Sequence, residues 1–187
     1  MILLQVNSLC LHKYGCRIVQ RAFDVFEQSQ KQEMFNLIYS DLYDLMFDDN
    51  GNFVVSKVIK VMPKATVHKI ADLCRGRCYS LSRDKSACRI VQRLLDRFPT
   101  DEIRFIFEEL RAEINALILD EFGNYVLSHV LLCGTYEDKC FIIEKILDDI
   151  VQLSLHKFGS NVVEKCLELA PDNRRDLILD RIVGVPV

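Results

Sequence analysis

The stretch Lys157-Phe158-Gly159-Ser160-Asn161-Val162-Val163-Glu164-Lys165 restates four earlier stretches of the same chain, which begin at Lys13, Asp49, Lys85 and Glu121. Their fourth residues are Cys16, Asn52, Cys88, Asn124 and Ser160, each 36 residues after the last, with no slippage. A fixed period of this length points to a stacked array of one supersecondary unit rather than to a single non-repeating core. The repeats run approximately over 3–39, 40–75, 76–111, 112–147 and 148–183, and the whole of 1–187 reads as one domain.

With the fourth-residue site as position zero, the hydrophobic pattern resolves each unit into three helices. Position −10 is Val6, Leu42, Cys78, Ile114 and Ile150, and position −7 is always Leu. Position −5 is Leu11, Phe47, Arg83, Leu119 and Leu155. These positions predict a short first helix with one buried stripe along −10, −7 and −5. Position −4 is His12, Asp48, Asp84, Asp120 and His156. Residues of this kind before an apolar-periodic run read as caps on a second helix. Apolar pairs at +2/+3 and +6/+7 give that helix one broad buried face. Position −1 is Gly in every repeat but the third, which has Ala87. A small residue there is expected to let neighbouring repeats approach closely. Polar breaks follow at Gln28-Ser29-Gln30, Pro63-Lys64, Pro99-Thr100, Gly134-Thr135 and Pro171-Asp172. A third apolar-periodic segment then closes each unit. No unit can bury its faces alone, so the expected fold is all-α, a right-handed α-α superhelix of armadillo-like solenoid type.

Composition narrows the function classes. No apolar run reaches the ~18–20 residues that span a bilayer, and Met1-Ile2-Leu3-Leu4 is too short for a signal peptide. Eight cysteines in a chain that is half apolar do not require a disulfide framework, and they read as reduced thiols of an intracellular protein. Cys74 and Cys78 are spaced C-x3-C, but no second pair completes a metal site. No nucleophile elbow, zinc-protease motif or phosphate-cradling loop is present. The expectation is therefore no enzyme, no metal and no cofactor. The net charge of −3 does not advertise nucleic-acid binding, although one face of a solenoid can be basic while the other is acidic.

Positions 0, +1 and +4 lie off the buried stripe, on one side of the second helix. The triplets are Cys16/Arg17/Gln20, Asn52/Phe53/Ser56, Cys88/Arg89/Gln92, Asn124/Tyr125/Ser128 and Ser160/Asn161/Glu164. Every +1 side chain ends in a planar group. Planar groups on successive repeats make a ladder into which flat rings can slot, and base stacking on such groups contributes about 1–3 kcal/mol per base. Position +5 adds Arg21, Lys57, Arg93, His129 and Lys165, a basic row on the same helices.

In the runs Gly15-Cys16-Arg17-Ile18-Val19-Gln20-Arg21, Gly123-Asn124-Tyr125-Val126-Leu127 and Phe158-Gly159-Ser160-Asn161-Val162-Val163-Glu164-Lys165-Cys166 the chain resembles the Pumilio/PUF RNA-binding repeats. The resemblance covers essentially the whole chain, and the five triplets are similar, in order, to the family's third to seventh repeats. It implies one base per repeat, read on its Watson–Crick edge by positions 0 and +4 and stacked on +1, along an antiparallel track. It also implies binding to mRNA 3′ untranslated regions in the cytoplasm, with repression or decay carried out through recruited protein co-repressors. On this reading Ser160 and Glu164 suit guanine, because a carboxylate accepts from its two adjacent donors. Gln20 and Gln92 offer the donor and acceptor that adenine requires, and small Cys16 and Cys88 leave room for a purine. Asn52 and Asn124 suit uracil in the family pattern, but Ser56 and Ser128 stand where Gln usually does, and their reach is shorter. The expected core is 5′-G-(U)-A-(U/N)-A-3′, within a UGUANAUA-like element.

Two other readings fit parts of this pattern. The period alone equally suits an armadillo-like protein-interaction scaffold. A PUF-like factor of ribosome assembly would bind structured RNA through its backbone, with little base preference. Flanking repeats or a partner covering the solenoid ends are also consistent with the absence of polar end caps.

Overall fold

The structure, a computed structural model, describes residues 5–184, with the side chains of 172 and 173 excepted. Residues 1–4, including the start of the first repeat, lie outside the described residues. The first helices of the five units are α1 (Val6–Leu11), α4 (Leu42–Phe47), α7 (Cys78–Ser82), α10 (Ile114–Ile118) and α13 (Ile150–Leu155). The second helices are α2 (Gly15–Val25), α5 (Gly51–Val61), α8 (Cys88–Arg97), α11 (Gly123–Cys133) and α14 (Gly159–Leu169). The third are α3 (Gln28–Ile38), α6 (Lys64–Leu73), α9 (Arg104–Ala112), α12 (Tyr136–Leu147) and α15 (Asp172–Val183). A 3-10 turn, Tyr39–Asp41, joins the first unit to the second.

The second helices pack side by side in one row, α2 on α5, α5 on α8, α8 on α11 and α11 on α14. Each first helix packs on the second helix of its own unit. This arrangement follows from the +2/+3 and +6/+7 pairs. Val54, Val55, Ile90, Val91, Val126, Leu127, Val162 and Val163 are all buried. Ile18, the +2 residue of the first unit, is 56% exposed, because no second helix precedes α2 among the described residues. The core is thus continuous from unit to unit, and a nearest-neighbour stack results.

Every residue at position −4 caps the helix that follows it. Asp48 Oδ1 accepts from the backbone N–H groups of Asn50 and Gly51 at 2.8 and 2.7 Å. Asp84 does the same for Ser86 and Ala87, and Asp120 for Phe122 and Gly123. His12 and His156 reproduce the contact through Nδ1, at 3.1–3.2 Å. Imidazole can play the aspartate's part because its unprotonated nitrogen sits at a similar reach from Cα.

Two expectations need correction. Position −5 is not part of the buried stripe: Leu11, Leu119 and Leu155 are exposed. At 100° per residue, a residue five after −10 lies roughly 140° round the helix. In the first four units the stripe is completed instead by position −6, with Cys10, Met46, Ser82 and Ile118 all buried, whereas Ser154 in the fifth is exposed. The glycines at −1 admit the first helix of their own unit rather than a neighbouring repeat. A Cβ on Gly51 would meet Leu45 O and Leu45 Cδ2 at 2.8 Å, and one on Gly15 would meet Leu9 O at 2.8 Å. In the third unit Ala87 replaces the glycine, and α8 begins one residue later than its counterparts.

The third segments form the expected helices, with small shifts. Gln28-Ser29-Gln30 already belongs to α3, and Gln30 Oε1 accepts from Glu27 N–H at 3.1 Å to close its first turn. Pro63 and Pro171 stand at the starts of α6 and α15, while Pro99 leads into a turn before α9. No helix among the described residues is long and apolar enough to cross a membrane.

Candidate nucleic-acid interface

The row of second helices presents positions 0, +1 and +4 of all five units along one face. Position 0 forms its floor: Cys16, Asn52, Cys88 and Asn124 are buried and Ser160 is half-buried. Position +1 stands out from it: Arg17, Phe53, Arg89 and Tyr125 are exposed, and Asn161 is half-buried. Gln20, Ser56, Gln92 and Ser128 at +4 are half-buried, and Glu164 is exposed. Helical geometry explains the grading, since 0 turns toward the neighbouring helix while +1 lies 100° further round.

Between the third and fourth units this face opens into a cleft of about 400 Å³. Its two walls are Arg89 and Tyr125, and Cys88 and Gln92 lie at its base. Phe122, Lys85 and Arg93 complete the lining. Two planar groups thus face a common space, with an amide and a thiol at the end of it. The Gln92 amide has no hydrogen-bond partner among the described residues. Burial pushes the Cys88 thiol up to about 11, so it faces the cleft protonated, and its sulfur lies 3.7 Å from Lys85 O.

The other units are arranged differently. Gln20 Nε2 is turned back onto Cys16 O at 3.1 Å. The Arg89 guanidinium lies over the Phe53 ring, 5.3 Å from its centroid, so these two +1 groups face each other directly. Asn124 uses its whole amide inside the protein. Its Nδ2 donates to Asp120 O and Glu121 O at 2.8 Å, and its Oδ1 accepts from Asn161 Nδ2 at 3.1 Å. Ser128 Oγ donates to Asn124 O at 2.9 Å. Asn52 Nδ2 donates to Asp48 O at 2.8 Å, while its Oδ1 is buried without a partner. Glu164 has no partner among the described residues.

The basic row at +5 is largely neutralised by acids at +8. Lys57 Nζ reaches back to Asp24 of the preceding unit at 3.0 Å, and Arg21 approaches the same carboxylate. Arg93 and His129 share Asp96 at 3.0 and 3.1 Å, and Lys165 pairs with Glu168. The hydrogen bond from Lys57 holds the Asp24 carboxyl below the usual carboxylate range. Among the described residues, cations of this face without an ion pair include Arg17 and Arg89 at +1, Lys60 at +8 and Arg97. Sequence periodicity did not single out Lys60, Arg97, Lys85 or Phe122, which line the clefts of this face. Lys60 carried a signal, being the one cation in a +8 row of Asp24, Asp96, Leu132 and Glu168.

The remaining candidate chemistry is structural. All eight cysteines are free thiols. Cys74 and Cys78 are buried, with their sulfurs against Ile70 O and Cys74 O, and burial pushes Cys74 up to about 12. Among the described residues no group of three or more His, Cys, Asp and Glu could hold a metal ion. His68, expected on a helix surface, bridges two units: its ring lies 4.4 Å from that of Phe98, and its Nε2 is 3.1 Å from Glu102.

Solved structures of the same architecture bind RNA in their crystals. The structure of PUF-8 in complex with PBE-RNA superposes with a TM-score of 0.91 at 26% identity, over 99% of this chain and 55% of that one. The Puf3 RNA-binding domain bound to a Cox17 RNA 3′ UTR recognition sequence matches with a TM-score of 0.90 at 32% identity, over 96% of this chain and 52% of that one. Yeast Puf5p bound to SMX2 RNA shares the fold, with a TM-score of 0.78 at 22% identity, over 95% of this chain and 52% of that one. The chain therefore spans a little over half the length of these relatives. No curated protein matches it by sequence. The Pumilio-family RNA-binding repeat model matches residues 5–39, 77–111, 113–147 and 149–183, leaving only the second unit unmatched. With four of its five units matched and the fold shared throughout, the chain belongs to the Pumilio family.

Proposed function

We propose that the row of second helices binds single-stranded RNA in a sequence-specific manner, one base per unit. The observation that carries this reading is the cleft walled by Arg89 and Tyr125, with Cys88 and Gln92 at its base. A flat base between those walls gains stacking of about 1–3 kcal/mol. It also presents its Watson–Crick edge to a side chain carrying one donor and one acceptor, as adenine requires. The RNA-bound structures of PUF-8 and Puf3 support the same use of the face.

The site comprises Cys16, Arg17 and Gln20; Asn52, Phe53 and Ser56; Cys88, Arg89 and Gln92; Asn124, Tyr125 and Ser128; and Ser160, Asn161 and Glu164. The RNA runs antiparallel, so 5′-UGUAUAUA-3′ places its G at the fifth unit and its sixth nucleotide at the first. The targets are elements in mRNA 3′ untranslated regions, and the consequence is repression or decay through recruited proteins in the cytoplasm. The protein performs no catalysis in this role.

The test is fluorescence anisotropy with labelled 5′-UGUAUAUA-3′ at fixed moderate salt, against the same RNA with C in place of G. Binding should fall by about 1–3 kcal/mol on that single change. The Glu164→Gln variant should lose most of that difference, because the amide accepts from only one of the two guanine donors it would face. Equal binding of both RNAs by the wild-type chain, with steep salt dependence, would replace base reading with backbone recognition.

A further inference from the structure

The second and fourth units carry the same pattern of Asn, aromatic ring and Ser, yet they stand in different states. In the fourth, the serine hydroxyl is tied to Asn124 O. In the second, Ser56 has no hydrogen-bond partner among the described residues and opens onto a cleft of about 430 Å³. This cleft runs past the +4 row toward the C-terminal halves of α5 and α8. Phe53 and Gln20 stand at its upper end, Ile59 lines it, and Lys60, Arg93 and Arg97 lie on its walls. Arg93 also lines the cleft beside Tyr125, so the two hollows share a wall.

Three observations concern what this cleft receives. The slot that a base would enter at the second unit lies between Phe53 and Arg89, and those groups are 5.3 Å apart, centroid to guanidinium carbon. A base needs roughly 7 Å between its neighbours, two van der Waals separations of about 3.5 Å. That slot is closed on itself, whereas the next one is open. The cleft is also cation-rich. Lys60 has no partner among the described residues, Arg97 has no acid partner and donates to Met62 O at 3.4 Å, and the one acid on the wall, Asp96, is already held by Arg93 and His129. Finally, the second unit is the one that the family model passes over.

We propose that the nucleotide facing the second unit leaves the stacked track, that its base lodges in the cleft below Ser56, and that Lys60 holds its phosphate. The inference rests on the RNA-binding reading above. The exposed Phe53 ring supplies the apolar side of the cleft. The Ser56 hydroxyl can both donate and accept, so the cleft receives a base without choosing among the four. Removing the outward base leaves the Arg89–Phe53 stack intact and lets the flanking adenines keep their own units.

Photocrosslinking with 4-thiouridine tests this on the unaltered protein. In 5′-UGUAUAUA-3′ the fifth nucleotide faces the second unit and the third faces the fourth unit, and both are uridines that can be replaced singly. With protein well above Kd, the fifth nucleotide should crosslink to residues 57–60 or 93–97. The third should crosslink around residues 124–125 or 161. The Lys60→Glu variant should bind the RNA about three- to tenfold more weakly, and Lys145→Glu, on a third helix, should not. A fifth-nucleotide crosslink at Asn52 or Arg89 would mean an ordinary stacked base and would overturn the proposal. So would a third-nucleotide crosslink with none from the fifth, which would leave that base in solvent. If neither RNA binds, the RNA reading itself fails, and the proposal with it.

Discussion

The first and third units carry the same triplet, Cys, Arg and Gln, and a position-by-position code would give them equal weight. The structure does not. Gln92 is unpartnered at the base of an open cleft, whereas Gln20 donates its amide to Cys16 O at 3.1 Å. To read an adenine, Gln20 must first give up that contact. A side-chain hydrogen bond of this kind contributes about 0.5–1.5 kcal/mol net, so reading at the first unit should be weaker by about 1 kcal/mol, roughly fivefold in Kd. In 5′-UGUAUAUA-3′ the fourth nucleotide faces the third unit and the sixth faces the first. Replacing the fourth nucleotide by C should cost about 1–3 kcal/mol, and the same change at the sixth should cost about 1 kcal/mol less. The protein-side substitutions should follow the same order, with Gln92→Ala more damaging than Gln20→Ala. Competition anisotropy at one fixed salt concentration measures all four changes. Equal losses at the two positions, or a larger loss at the sixth, would refute the argument that self-bonding of the reading side chain weakens its site.

Two predictions concern the scaffold. Gly51→Ala places a Cβ 2.8 Å from Leu45 O and Cδ2 and should destabilise by about 1–3 kcal/mol in urea titration, more than Gly159→Ala, where the nearest atom is at 3.0 Å. Asp120→Ala removes the cap on Phe122 and Gly123 and the ion pair with Arg83 at 2.7 Å, and should cost about 1–2 kcal/mol at pH 7. Burial pushes the Asp120 carboxyl up, but the Arg83 guanidinium and the two backbone N–H groups outweigh it and hold the carboxyl below its usual value. A group depressed in the folded state contributes fully above its unfolded pKa of about 3.9 and loses that contribution as pH falls through the folded value. The gap between wild type and Asp120→Ala should therefore be constant from pH 7 to about pH 5 and narrow below pH 4.

The fold was legible because the period and the apolar pairs are properties of the chain alone. A 36-residue repeat with pairs at +2/+3 and +6/+7 has few ways to bury itself, and the row from α2 to α14 is the one the chain adopts. The caps were legible for the same reason, since Asp48, Asp84 and Asp120 precede their helices in the sequence. Position −5 misled because three leucines in five repeats resemble a buried stripe, and a helix of six residues has room for only one stripe. The purpose of the glycines was half legible. A small residue was evidently required at −1, but only coordinates show that Leu45 or Leu9, six residues earlier, is what it must admit. The bond from Asn161 to Asn124 could not be read at all, because it joins +1 of one unit to position 0 of the unit before it.

That last contact shows where a code written one repeat at a time runs short. Asn52 and Asn124 are the same residue at the same position, and each donates Nδ2 to the carbonyl at −4. Their acceptors differ because the following unit differs. Asn161 is short and polar and turns down onto Asn124 Oδ1, whereas Arg89 is long and planar and lies out over Phe53, leaving Asn52 Oδ1 bare. The +1 residue therefore has two effects: it walls the slot of its own unit and sets the state of the reading residue in the unit before. In a solenoid whose units touch only their neighbours, that coupling extends one repeat and no further. On the proposed reading, base preference on this face is a property of adjacent pairs of repeats.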